Sequence, residues 1–447
     1  MPNGFSRYRD TVCWHWMSAH SNMRIQVVPQ EFLRAPVLVV VKHSWGSGLF
    51  YFYVGGIDMD ERTQKALEYL QQNEEQMLDT WRNIVSIESR SSEKENVNRI
   101  IAHLDTYCDA LQMHRNIVKF ESAGSTLVAS TQSGTYKPIA LLGHVDTVHP
   151  TGAFGDNTFK IDDDLVTGPG VMDCKGGVVA ALYVIRALNH IGYADRQIKL
   201  ILSGDEEVAH SFSNGESGKV FEREAKDCAA AFNVEPGSID GKITLQRKGG
   251  AIFEVEVFGR AAHAGKEPEK GANAIRQAAE MICRIENASI KGETTYNCGV
   301  IRGGKGANVV PDYCRFDVGV RYNTNEQYRQ AQQMVQQLCS SPIVKGTHCT
   351  MRQNGFYPAM EPTAKSKQLF ELYRKTCKNL DGTEPDGIAQ GGCSDSAFAA
   401  SVGVPTLCGM GVHGAGAHSL QECAKVSSLL LQAQRLTAMI LALPNDF

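Results

Sequence analysis

Two histidines and four carboxylates are placed along the 447-residue chain in a way that suggests shared chemistry: His144, Asp173, the adjacent pair Glu206-Glu207, Glu235 and His418. Imidazole nitrogens and carboxylate oxygens are the donors that zinc and similar divalent cations take. Two histidines and three carboxylates suit two cations if one carboxylate bridges, and ions in two-metal hydrolytic sites lie ~3.5–4 Å apart. Asp146, two residues after His144, is close enough to hold that histidine's second ring nitrogen. Adjacent carboxylates point to different sides. One of Glu206 and Glu207 can therefore bind metal while the other faces the attacking water as a general base. Each position also has an ordinary reading. His144 fits a structural strand-end histidine, Asp173 a helix N-cap, Glu206-Glu207 a solvated acidic loop, and Glu235 an exposed turn. His418 precedes Ser419-Leu420-Gln421-Glu422, which has the form of a capping box opening a helix. Only the set as a whole points to metal-assisted hydrolysis.

The flanking sequence says what must carry these residues. Ile139–Leu142, Lys199–Leu202 and Ala229–Val234 are short apolar runs, as buried parallel strands are. They end at Gly143-His144, at Ser203-Gly204-Asp205-Glu206-Glu207 and at Glu235-Pro236-Gly237. Helical spacing is found over Thr63–Ile87, Asn96–Leu111 and Gly177–Ile191. Strands alternating with helices predict a parallel or mixed α/β sheet, and such sheets bind ligands beyond the carboxyl ends of their strands.

The pattern changes near Lys248. Phe253–Phe258 alternates as a half-buried strand, Ala272–Ile285 is helical, and Tyr296–Ile301 and Arg315–Arg321 are strand-like. Glu326–Leu338 is helical and His348–Arg352 forms a last strand. This β-α-β-β-α-β order is that of a ferredoxin-like domain. Long helices resume at Thr363–Leu380 and Glu422–Leu443. The expected organisation is a catalytic α/β domain over 59–247 and 355–447, with an α+β domain inserted over 248–354. No internal repeat or low-complexity tract is present.

Net charge is −4 and pI about 6.4, which gives no basic footprint for nucleic acid or an anionic membrane. Hydrophobic residues make up 43% and charged residues 21%, a globular balance. The 13 cysteines are odd in number and scattered without a C-x-x-C pair, so a reducing, cytoplasmic setting is expected. Residues 1–58 lack this patterning. The apolar runs Val37–Val41 and Gly48–Val54 fall short of the ~20 residues of a membrane helix. No basic region, apolar core and small-residue cleavage site follow one another as in a signal peptide. The expectation for 1–58 is a poorly ordered extension, or upstream sequence from a misassigned start.

An ordered set of segments resembles the dinuclear-zinc family of glutamate carboxypeptidase, acetylornithine deacetylase, succinyl-diaminopimelate desuccinylase and aminoacylase. The segments are Gly143-His144-Val145-Asp146-Thr147, Gly168–Gly177, Asp205-Glu206-Glu207, Glu235-Pro236, Ala262-His263-Ala264-Gly265, Ala307–Asp312, Gly391-Gly392-Cys393-Ser394-Asp395 and His418-Ser419. The resemblance runs from about Asp60 to the C-terminus. It implies a zinc-exopeptidase-like domain with a ferredoxin-like lid and dimerisation insert. Asp173 would bridge two Zn2+ ions, His144 and Glu235 completing one site and Glu207 and His418 the other, with Co2+ or Mn2+ admissible on the same donors. Glu206 would take a proton from the attacking water and return it to the leaving amine, and Asp146 would orient His144. His263 would stabilise the oxyanion, often across a dimer interface. Arg321 and Asn308 would hold a free carboxylate, with Gly392 and Ser394 also lining the substrate. A cis peptide between Asp173 and Cys174 is implied as well.

Glutamate at 235 resembles the carboxypeptidase and deacylase branches more than the aminopeptidases, and the compact insert the dimer-forming lid. Departures are Cys393, where threonine is frequent, and Val208–Ser213, which lacks the usual Gly-Ser turn. His210 within that segment reads as a loop residue, with the pocket wall as its alternative. Gly409, Gly411, Gly414 and Gly416 lack the strand-loop-helix setting of a phosphate loop. The leading expectation is hydrolysis of an amide beside a free carboxylate, in a small peptide or an N-acyl amino acid. Carboxypeptidase and deacylase present the same carbonyl and carboxylate to the site. The rival class is a non-catalytic binding protein that keeps the fold, against which stand all five ligands and Glu206. A homodimer is implied, with no nucleic-acid or membrane partner.

Overall fold

The computed structural model describes residues 60–447 and, before them, three short strands: Arg24–Gln26, Val37–Lys42 and Leu49–Val54. These three pair antiparallel into a sheet of their own. The expectation of a poorly ordered extension otherwise lies outside the described residues.

An eight-stranded mixed sheet organises the catalytic domain. At its centre Thr406–Cys408, Ala230–Asn233, Tyr136–His144 and Arg196–Ser203 run parallel in that order. Their register aligns His144 with Ser203, and Asn233 with Leu142 and Cys408. One rim of the sheet thus collects the polar strand ends read from the sequence. Alternation along the strands supplies both faces. Ala140, Leu142, Ile201 and Ala231 pack on Val220, Phe221 and Phe398. The helix Gly176–His190 is buried almost all round and packs against Ser427–Ala442. Apolar burial of this kind stabilises by roughly 1.5–3 kcal/mol per large side chain.

A smaller five-stranded sheet positions the turns that carry Asp173 and His418. Leu165–Thr167 pairs antiparallel with Cys423–Lys425, which pairs with His413–Ala415. The turn after Thr167, carrying Asp173, therefore lies beside the turn between Ala415 and Cys423, carrying His418. Trp81 is fully buried, and its indole N–H donates to the Val171 carbonyl at 3.1 Å, which fixes the Asp173 turn from the other side.

The inserted domain is a four-stranded antiparallel sheet in the order Thr295–Gly303, Tyr313–Tyr322, Gly249–Phe258, His348–Tyr357. That is the ferredoxin-like arrangement, with helices Ala274–Asn287 and Asn325–Ser340 on one face. Phe253, Val255 and Val257 alternate inward with Phe316, Val318 and Val320, against Ala278, Met281, Ile285, Ala331 and Val335. Thr324 and Gln327 form a reciprocal capping box at the second helix.

Two helix expectations are corrected. The stretch Thr63–Ile87 is two helices, Glu61–Gln72 and Glu74–Ser86, broken at Asn73. The last helix begins at Ser427, because Cys423–Lys425 is a strand and Ser419–Glu422 is a turn rather than a helix start. Among the described residues no helix is long and apolar enough to cross a membrane, and every cysteine is a free thiol.

Two glycines squeeze one carbonyl. A Cβ at Gly177 would lie 1.9 Å from the Val234 carbonyl oxygen, and one at Gly411 would lie 2.1 Å from it. This close packing holds the strand end that delivers Glu235. Gly177→Ala gains helix propensity, yet the backbone clash outweighs it. The expected result is a loss of on the order of 1–3 kcal/mol in urea unfolding, with weaker metal retention.

Candidate metal centre

The structure brings all five sequence-read donors together. His144 Nε2 lies 3.0 Å from Asp173 Oδ1 and 3.5 Å from Glu235 Oε1. His418 Nε2 lies 3.3 Å from Asp173 Oδ2 and 3.0 Å from Glu207 Oε2. Asp173 thus faces one histidine with each oxygen, as a bridging carboxylate must. Donors each ~2.0–2.2 Å from one tetrahedral zinc lie roughly 3.3–3.6 Å apart, and these four distances lie within or slightly below that spacing. Glu206 sits with His144 and Glu235 within 4.8 Å.

Glu235 is buried, unlike the exposed turn residue of its ordinary reading. His144, Asp173 and Glu235 are buried, at 1%, 9% and 7% exposure, whereas His418 stands at the exposed mouth. Asp173 belongs to an irregular turn before the helix, and its peptide to Cys174 is cis.

Burial and neighbouring carboxylates raise the proton affinity of three of the four carboxylates at this locus. Burial pushes Glu206 well above the usual carboxylate range, with nearby Glu235, Asp395 and Glu207 adding to it. Burial likewise lifts Glu207 and Glu235 to about 7, with Asp173 repelling both. Burial would raise Asp173 too, but its hydrogen bonds to His144 and His418 hold it below its usual range. His418 is drawn up to about 11 by Asp173 and Glu207. Divalent cations are the charges that relieve such a set.

Asp146 has a different geometry from the one expected. His144 Nδ1 bonds the main-chain carbonyl of Asp146 at 3.0 Å, while the carboxylate oxygen is 3.6 Å away. The carboxylate instead accepts Ser91 Oγ–H (2.7 Å) and the main-chain N–H groups of Glu206 and Glu207 (both 3.1 Å). Asp146 thus holds His144 and the Glu206-Glu207 turn in one frame.

The residues expected to contact substrate are spread over both domains. His263 is exposed on the insert and has no contact with the metal donors. Its Nδ1 accepts the N–H groups of Gly265 and Lys266, which leaves the proton on Nε2. Asn308 lies alongside, its carbonyl accepting Ala264 N–H at 2.9 Å. Arg321 Nη1 reaches to 3.6 Å from Cys393 Sγ, beside the exposed Gly392. Ser394 is fully buried, its hydroxyl occupied by Ser396 and Asn233.

Several supporting residues had no usable sequence signal. Glu422 is 1% exposed and accepts four donors: His149 Nε2 at 2.6 Å and the N–H groups of Gly170, Met172 and Asp173 at 3.0–3.2 Å. It clamps the turn that presents Asp173. Arg247 is 5% exposed, lies 3.7 Å from Glu235 Oε2, and donates to the Gly392 and Cys393 carbonyls. A buried guanidinium beside a buried ligand carboxylate offsets its charge. His210 lies in a turn, as read from the sequence, but its side chain is not exposed there. It is fully buried between Asp205 (3.1 Å) and Asp395 (2.7 Å), and Asp395 also accepts Ser203 Oγ–H.

Residues 140–442 match the sequence model of Peptidase family M20/M25/M40. The chain is 26% identical over 349 residues to carboxypeptidase G2 of Pseudomonas sp. (strain RS-16), covering 77% of this chain and 83% of that one. It is 23% identical over 353 residues to succinyl-diaminopimelate desuccinylase of Wolbachia sp. subsp. Brugia malayi, covering 75% and 84%. The crystal structure of aminopeptidase PepT from Bacillus cereus aligns with a TM-score of 0.66 and 23% identity, over 83% of this chain and 98% of that one, a likeness of fold.

Glu422→Gln keeps the side-chain shape but turns an N–H2 towards donors. Metal titration of the variant is expected to show affinity roughly 10–100-fold weaker, as for other lost supports of metal ligands.

Proposed function

The chain belongs to peptidase family M20/M25/M40, a family of metal-dependent hydrolases, and we propose that it hydrolyses an amide bond next to a free carboxylate. One observation carries this reading: two donor groups that share Asp173, with a fourth carboxylate, Glu206, beside them. In the proposed site His144, Asp173 and Glu235 hold one Zn2+, and Asp173, Glu207 and His418 hold a second. Bound there, the cations would polarise the scissile carbonyl and lower the pKa of water towards ~7.

The chain's own groups supply the rest. Glu206, its proton affinity raised by burial, takes the proton of the attacking water and returns it to the leaving amine. His263 donates from Nε2 to the developing oxyanion, which requires the insert to approach the metals of its own or a second subunit. Arg321 and Asn308 hold the substrate carboxylate. Gly392 forms the adjoining wall, with Ser394 buried behind it. Residues 59–247 with 355–447 act as the catalytic part and 248–354 as the lid. Carboxypeptidase action is the first reading, supported by the relative named carboxypeptidase G2. Deacylation of an N-acyl amino acid is the second, supported by the relative named a desuccinylase.

A homodimer through the insert is part of the proposal. The sheet-edge strand Thr295–Gly303 leaves Val300 and Ile301 41% and 52% exposed, an apolar edge that a second copy would cover. Light scattering of Ile301→Lys should give the mass of a monomer where the unaltered chain gives that of a dimer. A monomeric parent protein refutes this.

The chemistry is tested on a panel of N-acyl amino acids and C-terminal glutamyl peptides. Activity should vanish with chelator and return with zinc. Glu206→Ala should bind metal as before while kcat falls by ~10²–10⁴, the usual share of a general base. Two bound metals without hydrolysis of any panel member would favour a binding protein.

A further inference from the structure

We infer that Tyr357 is a positioning residue for Glu206, its hydroxyl tethering the main chain of the general base to the hinge of the inserted domain. The inference rests on the reading of Glu206 as that base. Tyr357 ends the last strand of the insert, is 4% exposed, and donates from its hydroxyl to the Glu206 carbonyl at 2.8 Å. The N–H of Glu206 donates in turn to Asp146 Oδ1 at 3.1 Å. The main chain of Glu206 is therefore gripped from both sides, by the residue that frames His144 and by the residue where the insert rejoins the catalytic domain.

The hinge itself is built around Tyr357. Its carbonyl accepts the Tyr322 hydroxyl at 2.6 Å, and that hydroxyl also lies 3.2 Å from the Gly250 carbonyl. Beyond it, Arg247 and Met360 exchange both main-chain hydrogen bonds, at 3.2 and 3.1 Å, so the outgoing and returning chain are locked together. The ring of Tyr357 is seated on His210 and Phe398, with centroids 5.2 and 5.4 Å away. His210 is immobilised by Asp205 and Asp395. Ala209 and His210 both take left-handed backbone angles, φ +53 and +52. Non-glycine residues adopt these rarely, so the turn after Glu207 keeps its shape because its surroundings hold it. The Glu206 carbonyl closes that turn by also accepting Ala209 N–H at 2.8 Å. One phenol thus links the junction of the insert to the main chain of Glu206.

Tyr357→Phe removes the tether and little else. On the best substrate of the panel, kcat should fall roughly tenfold, with KM and bound metal unchanged, as when an interaction used in the transition state is lost. Tyr322→Phe loosens the same hinge without touching Glu206 and should stay within about twofold of the unaltered enzyme in kcat. Hydrogen exchange gives a readout independent of turnover. The Ala209 and His210 amides should exchange faster in Tyr357→Phe alone. Unaltered kcat in Tyr357→Phe, equal losses in both variants, or equal exchange in all three proteins each overturns the tether. Persistent activity of Glu206→Ala would instead overturn the reading of the base.

Discussion

Negative charge crowded into a buried rim is the constraint on which the rest of this structure depends. Asp173, Glu206, Glu207 and Glu235 converge where the parallel strands end, and burial there opposes every one of their charges. Such a cluster persists only if positive or polar partners are fixed around it. His144 and His418 supply two, the Arg247 guanidinium stands against Glu235, and main-chain N–H groups supply the remainder. The donor set also explains why the locus suits divalent cations better than any single organic cation. The carboxylates are arranged in two overlapping groups that share one residue.

A recurring device is the buried carboxylate that organises backbone. Asp146 gathers the N–H groups of Glu206 and Glu207, and Glu422 gathers those of Gly170, Met172 and Asp173. Each converts a turn, which has no periodic hydrogen bonding of its own, into a rigid presenter of ligands. The two act from different sheets. Asp146 lies on the rim of the large sheet, and Glu422 enters through the pairing of Cys423–Lys425 with Leu165–Thr167. The fold thereby makes a site from segments far apart in the chain.

What the sequence revealed and what it hid have a common physical reason. His144, Glu207 and Glu235 were legible because an apolar run that stops at a polar residue marks a strand end, and strand ends in such sheets face ligands. The insert was legible because Phe253, Val255 and Val257 alternate against helices of clear period. Glu422 was hidden by a local pattern that fits equally well elsewhere. Ser419-x-x-Glu422 has the spacing of a helix cap, but the carboxylate turns inward to four donors that come from residues 149–173. Arg247 and Tyr357 were hidden for the same reason: their partners are set by where the insert leaves and rejoins the catalytic domain. His210 sits in the loop the sequence predicts, but its burial was hidden because nothing nearby in sequence announces Asp395 as its second carboxylate.

The interruption of the catalytic sheet also fixes an order of events in the making of the molecule. Ile243–Arg247 has no neighbour in the sheet until Gly387–Gln390 and Thr406–Cys408 exist, and these follow the whole insert in the chain. A growing polypeptide on the ribosome therefore completes the small, locally paired insert while the larger sheet is still missing strands on one side of Ala230–Asn233. His418 emerges after all of them. The nascent chain cannot bring His418 against Asp173 and Glu207 before its architecture has closed, so that contact forms at the end of biosynthesis rather than serving as its nucleus.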